Sequence, residues 1–193
     1  MKNKVYIVHG WGGSPDTDWF IWLKEKIEDL DWQVAIPKMP NTFVPTINEW
    51  VNYLNKAVKD LDENTYFVGH SIGCQAIMRY LEQIPENKKV GGAIFVAGWF
   101  NLSNNTWDDV FKEEIAKPWI ETVIDFNKIK RHTTEFVTIL SDNDPFVPLS
   151  DKDIFVEKLS SKVIIEHDKG HISGEDGSND LPIVLESLMS ISK

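Results

Sequence analysis

Three short clusters hold the residue types that acyl chemistry needs. Gly69-His70-Ser71-Ile72-Gly73 is a G-x-S-x-G. Ser141-Asp142-Asn143-Asp144-Pro145-Phe146-Val147-Pro148 supplies two carboxylates, and His167-Asp168-Lys169-Gly170-His171 supplies two imidazoles. A serine hydroxyl is a weak nucleophile until a base takes its proton, and that base needs an orienting partner. Histidine suits the first task and a carboxylate the second. Ser71 is therefore the candidate nucleophile, His167 and His171 the candidate bases, and Asp142 and Asp144 the candidate orienters. Their chain order of Ser, Asp, His is the order found in one class of hydrolases.

For these residues to meet, the elements around them must end at one place. Residues 65–68 form a short apolar run that reads as a buried strand, and Ala76, Ile77, Tyr80, Leu81 and Ile84 then recur at helical spacing. A strand that becomes a helix within two or three residues forces a strained conformation on its turn residue. The flanking glycines allow the close approach such a turn requires. Ser71 then stands clear of the sheet at a helix N-terminus, where a backbone N–H and the helix dipole can stabilise an oxyanion.

Five further strands are predicted at residues 5–8, 33–36, 91–97, 136–140 and 163–166. The first ends in the glycine-rich loop His9-Gly10-Trp11-Gly12-Gly13. Helices fill the intervals. One begins near Asp16 or Asp18 with Phe20, Leu23, Ile27 and Leu30 on one face. A second follows the capping-box pattern Thr46-x-x-Glu49, a third is capped by Ser150, and a last one spans 181–191. Strands apolar on both faces, alternating with helices, make a three-layer α/β sandwich around a six-stranded parallel sheet. The expected order is 2-1-3-4-5-6, which reverses between strands 1 and 3 and places the residue 9–13 loop beside the Ser71 turn. No repeat or linker divides the chain, so residues 1–193 are expected to form one domain.

Composition narrows the partners. With 30 acidic against 20 basic residues, the formal charge of −10 argues against nucleic acid or an anionic membrane surface. Cys74 is the only cysteine, which excludes an internal disulfide; it reads as a packing residue. The N-terminal apolar run is too short for a signal peptide and no stretch is long enough to cross a bilayer, so a cytoplasmic location is expected. Asp142-x-Asp144 lacks the glycine and terminal Glu of a calcium loop, and neither metal nor cofactor is expected.

Taken together, VHGWGG, VGHSIG, SDNDPFVP and the late Gly170-His171 resemble the α/β-hydrolase fold almost end to end. The resemblance is greatest to its small YdeN-like and retinoblastoma-binding-protein-9-like serine hydrolases. It implies Ser71 as nucleophile, His171 as base and Asp144, placed before Val147-Pro148, as orienter. It also implies an oxyanion hole from the backbone N–H groups of Trp11 and Ile72, and a minimal fold without a large cap. A small-molecule ester is the implied substrate, with thioester or amide open.

The long stretch 98–134 follows strand 4 and is rich in aromatic residues. It is expected to wall an acyl pocket with Trp99, Phe100 and Trp107. Glu175, Asp176 and Asp180 read as a solvated acidic loop, and His9 and His70 as packing or loop-supporting residues. One competing reading is an inactive hydrolase-fold protein acting as a binding or regulatory module. A flavodoxin-like binding domain is the other, disfavoured because residues 9–13 lack both a P-loop Lys and a Rossmann spacing.

Overall fold

Runs of β-branched and aromatic residues alternate with amphipathic stretches, and each takes its own period of hydrogen bonding. The computed structural model describes residues 2–17, 19–103 and 110–192. In chain order its elements are β1 (Lys4–Val8), α1 (Phe20–Glu28), β2 (Gln33–Ala35), α2 (Ile47–Ala57), β3 (Thr65–His70), α3 (Ile72–Gln83) and β4 (Gly92–Val96). There follow α4 (Val110–Glu121), α5 (Phe126–His132), β5 (Phe136–Ser141), α6 (Asp151–Leu159), β6 (Lys162–Glu166) and α7 (Pro182–Ile191). The six strands form one sheet in the order β2-β1-β3-β4-β5-β6, with every neighbouring pair parallel. This is the sandwich and the strand order the sequence predicts.

Successive strand residues feed opposite cores because side chains alternate across a pleated sheet. Val5 and Ile7, Tyr66 and Val68, Ile94 and Val96, and Val137 and Ile139 pack with Phe20, Leu23 and Ile27 of α1 and with Val184 and Leu188 of α7. Tyr6 and Val8, Phe67, Phe95, Phe136 and Leu140 face the other way, onto Trp50 and Leu54 of α2, Ile77 of α3 and Phe155 of α6. A sheet buried on both faces leaves only strand ends and loops for chemistry.

Several local expectations change. α1 begins at Phe20, later than Asp16; the Asp16 N–H is held in a turn by the Ser14 hydroxyl at 3.3 Å, and Asp18 lies outside the described residues. Leu30 falls beyond the end of α1 and is 46 % exposed. Ser150 precedes α6 but makes no capping bond, because its own backbone is already helical (φ −61°, ψ −21°). A capping side chain needs an extended backbone to turn its oxygen back toward the first N–H groups. Thr46 has one (φ −114°, ψ 146°), and its hydroxyl accepts the Glu49 N–H. The long stretch 98–134 contains α4 and α5. Buried Arg79 of α3 anchors it by donating to the carbonyls of Trp119 and Thr122 at 2.9 and 2.8 Å. Among the described residues no helix is long and apolar enough to cross a membrane.

Candidate active site

β3 ends at His70 and α3 begins at Ile72, so Ser71 alone makes the turn between strand and helix. Its backbone (φ 54°, ψ −125°) lies where a side chain is strained, at a cost of about 1–3 kcal/mol. The Ser71 N–H donates to Val96 and its carbonyl accepts from Cys74, at 2.9 and 3.0 Å. Both flanking glycines are needed. A Cβ on Gly69 would stand 2.8 Å from the Cys74 backbone, and one on Gly73 only 2.3 Å from the Val8 carbonyl oxygen. Cys74 itself is buried against Val96, and burial pushes its thiol pKa up, away from thiolate chemistry.

The three clusters meet at the carboxyl ends of β3, β5 and β6. His171 Nε2 lies 2.9 Å from Ser71 Oγ, and His171 Nδ1 lies 2.8 Å from Asp144 Oδ2. A carboxylate only accepts hydrogen bonds, so a neutral His171 carries its proton on Nδ1 and turns the Nε2 lone pair toward the Ser71 hydroxyl. The other Asp144 oxygen accepts the N–H groups of Phe146 and Val147 at 2.8 and 3.0 Å. That side chain is only 2 % exposed.

Asp142 and His167 pair with each other instead, at 2.5 Å and in solvent. They belong to a set of bonds that fastens the β5 loop to the β6 loop. Asp142 Oδ1 accepts the Asp168 N–H, the Ser141 hydroxyl accepts that of Lys169, and Asn143 Oδ1 accepts that of Gly170. Asp168, Gly170 and Ile172 all take positive φ between 54° and 56°, so His171 sits in a sharply folded loop whose shape depends on these bonds.

Two residues hold the His171 backbone directly. Asp176 Oδ2 accepts the His171 N–H at 3.0 Å and also the N–H and hydroxyl of Ser173. Glu175, Asp176 and Asp180 are exposed, as expected of a solvated loop, but Asp176 is also a clamp. On the other side, His70 Nε2 lies 2.9 Å from the His171 carbonyl oxygen. The expectation that His70 supports a loop is accurate in kind, but the loop it supports is that of His171. Nothing in the local sequence marked this pair, since the contact forms only when β3 and the β6 loop are folded together. The Ser173-Gly174-Glu175-Asp176 turn was a signal for the clamp.

The loop after β1 lies against the elbow: a Cβ on Gly10 would meet Ser71 Cβ at 3.2 Å. His9 is fully buried; its Nε2 accepts the Met39 N–H at 3.1 Å, so Nδ1 bears the proton and donates to the Gly10 carbonyl at 3.0 Å. Trp11 donates its indole N–H to the Phe43 carbonyl, and the Gly12 N–H donates to that of Thr42. Ile72 is the first residue of α3, where backbone N–H groups lack a partner within the helix.

The residues expected to wall an acyl pocket occupy different places. Trp99 is 2 % exposed within the core, and its carbonyl accepts from Gln75 of α3 at 3.0 Å. Phe100 is half-buried between Phe126 and Phe155. Trp107 lies outside the described residues. Asp151, which the sequence did not single out, fixes this turn. It is buried, and its carboxylate accepts the N–H groups of Phe100 and Asn101. Among the described residues no group of three or more His, Cys, Asp or Glu is placed to hold a metal ion.

Known proteins are similar to this chain in sequence and fold. The family described as serine hydrolase matches residues 5–190. YdeN of Bacillus subtilis (strain 168) is 33% identical over 190 residues, covering 98% of this chain and 96% of that protein. Serine hydrolase RBBP9 of Rattus norvegicus is 25% identical over 191 residues, covering 97% and 96%. The crystal structure of the ydeN gene product superimposes with a TM-score of 0.89 over 98% of each chain, at 30% identity.

Proposed function

The chain belongs to the serine hydrolase family, and we propose on that basis that it cleaves small carboxylic esters through an acyl-enzyme. Ser71 attacks the ester carbonyl while His171 Nε2 takes its proton, and Asp144 holds the imidazole in the tautomer this requires. The backbone N–H groups of Trp11 and Ile72 receive the oxyanion. His171 then returns the proton to the departing alcohol, and water activated by the same nitrogen releases the acid. The observation that carries the reading is the continuous relay from Asp144 through His171 to Ser71, with contacts of 2.8 and 2.9 Å.

The ester substrate is supported by a wider structural likeness. Among structures sharing the fold are those of LipS and LipT, described as metagenome-derived lipolytic enzymes, at a TM-score of 0.71 and 16% identity. For the acyl side we propose the surface that leaves β4, which carries half-buried Phe100 and buried Trp99. A fluorophosphonate probe tests the nucleophile: it labels the wild type and not Ser71→Ala, whose circular dichroism stays unchanged. Equal labelling of both proteins, or of neither, removes Ser71 from this role.

A further inference from the structure

The relay leaves one exposed aromatic residue in contact with the base. Phe146 is 42 % exposed, and its ring lies 5.2 Å from that of His171 with the two planes at 89°. Its backbone is held at both ends: the N–H donates to Asp144 Oδ1 at 2.8 Å, and the carbonyl accepts the Ser103 N–H at 2.8 Å. The next residue, Val147, turns into the core at 3 % exposure. Phe146 is thus fixed at the mouth of the site with its ring outward. An exposed phenyl ring contributes little to folding, and a rigidly held one presents a ready surface to a ligand.

We propose that Phe146 walls the leaving-group subsite and that the protein prefers esters of aromatic or bulky apolar alcohols. The inference rests on the Ser71–His171 reading above. In acylation the Ser71 Oγ–carbon bond forms as the hydroxyl proton passes to His171 Nε2. The carbon–oxygen bond to the alcohol then breaks, and that oxygen takes the proton from Nε2. The alcohol oxygen must therefore come within about 3 Å of Nε2. Its substituent starts out beside the imidazole, against which the Phe146 ring packs at 5.2 Å, and an aromatic substituent there can pair with that ring. The acyl substituent is bonded to the carbon and points away from His171. It is therefore the alcohol, and not the acid, that meets Phe146.

The competing account is that Phe146 merely shields His171 from water. The two accounts separate kinetically, because the alcohol has left before deacylation whereas His171 acts as base in both steps. Benzyl and methyl acetate offer a suitable pair: both give the same acetyl-enzyme and release alcohols of similar basicity. Phe146→Ala is expected to lower kcat/KM for benzyl acetate about tenfold more than for methyl acetate. With p-nitrophenyl acetate in stopped flow it slows acylation about tenfold and leaves deacylation within about twofold. Phe146→Tyr keeps the ring and the preference, and Phe146→Leu keeps bulk but loses most of it. Equal slowing of both steps, or an unchanged benzyl-to-methyl ratio, overturns the proposal. Mass spectrometry of the wild type tests its foundation separately: no acetyl group on Ser71 overturns the nucleophile assignment and this proposal with it.

Discussion

The Nε2–H of His70 donates to the main-chain carbonyl of His171 at 2.9 Å, joining two residues 101 positions apart in the chain. Because a carbonyl only accepts, the proton on that nitrogen is fixed. His70 is 4 % exposed and is packed edge-on by Trp19 and Phe20. The residue before the nucleophile therefore positions the backbone of the residue that activates it.

His70→Leu is expected to lower kcat about ten- to a hundredfold with little change in KM. Loss of the donor leaves a carbonyl unpaired and lets the base drift, and small misplacements of a catalytic group have costs of that size. His70→Gln can still donate from its amide and should restore most of the rate. Steady-state kinetics on all three proteins checks this. Equal losses in both variants would instead assign His70 a packing role.

Asp144→Asn should reduce kcat by about 10⁴-fold, because an amide at that position favours the wrong imidazole tautomer. Asp142→Asn should cost far less, since Asp142 bonds His167 and the Asp168 N–H instead. Comparing kcat of the two variants decides between the carboxylates; the reverse order moves the orienting role to Asp142.

The Asp142–His167 pair gives a pH signature that belongs to loop stability. Donation of a hydrogen bond from His167 Nδ1 to the Asp142 carboxylate pushes the His167 pKa above the ordinary 6.5, and the same bond holds Asp142 below 3.8. A raised histidine adds stability that is complete below 6.5 and fades as pH rises through its folded value. A lowered carboxylate adds stability that is complete above 3.8 and is lost as pH falls through its folded value. Both contributions are whole between about pH 4 and 6.5, and solvent keeps them small. An NMR titration of His167 should show a midpoint above 6.5 that returns toward 6.5 in Asp142→Asn. A wild-type midpoint at or below 6.5 would refute the pairing.

Gly73→Ala should prevent stable folding, because its Cβ would lie 2.3 Å from the Val8 oxygen and 2.7 Å from that of His9. Neither oxygen can move without parting β1 from α3. Gly177→Ala meets nothing within 4 Å but keeps a φ of +84°, so it should cost only about 1 kcal/mol. Thermal melts of the two variants check the contrast.

The sheet, its strand order and the Ser71 turn were legible in the sequence because each rests on local pattern. Apolar runs such as residues 65–68 have no solvent face to choose between, and a parallel sheet of this kind allows few strand orders. The elbow was legible because its strain and its two glycines lie within five consecutive residues. α1 begins at Phe20, later than Asp16, because the turn at Ser14 overrode the start signal that Asp16 offered.

What only the tertiary structure decided is how residues distant in sequence share hydrogen bonds. Asp176 looked like one member of an acidic, solvated loop until the folded chain brought the His171 N–H to it. Asp142 and Asp144 are chemically alike and two residues apart, and their separate partners follow from how the β5 and β6 loops are hydrogen-bonded together. Trp99 could equally have been pocket or core by composition, and at 2 % exposure it is core. Side-chain type limits which bonds are possible; only the meeting of strand ends selects among them, because an N–H must be brought within about 3 Å of its acceptor before the bond counts at all.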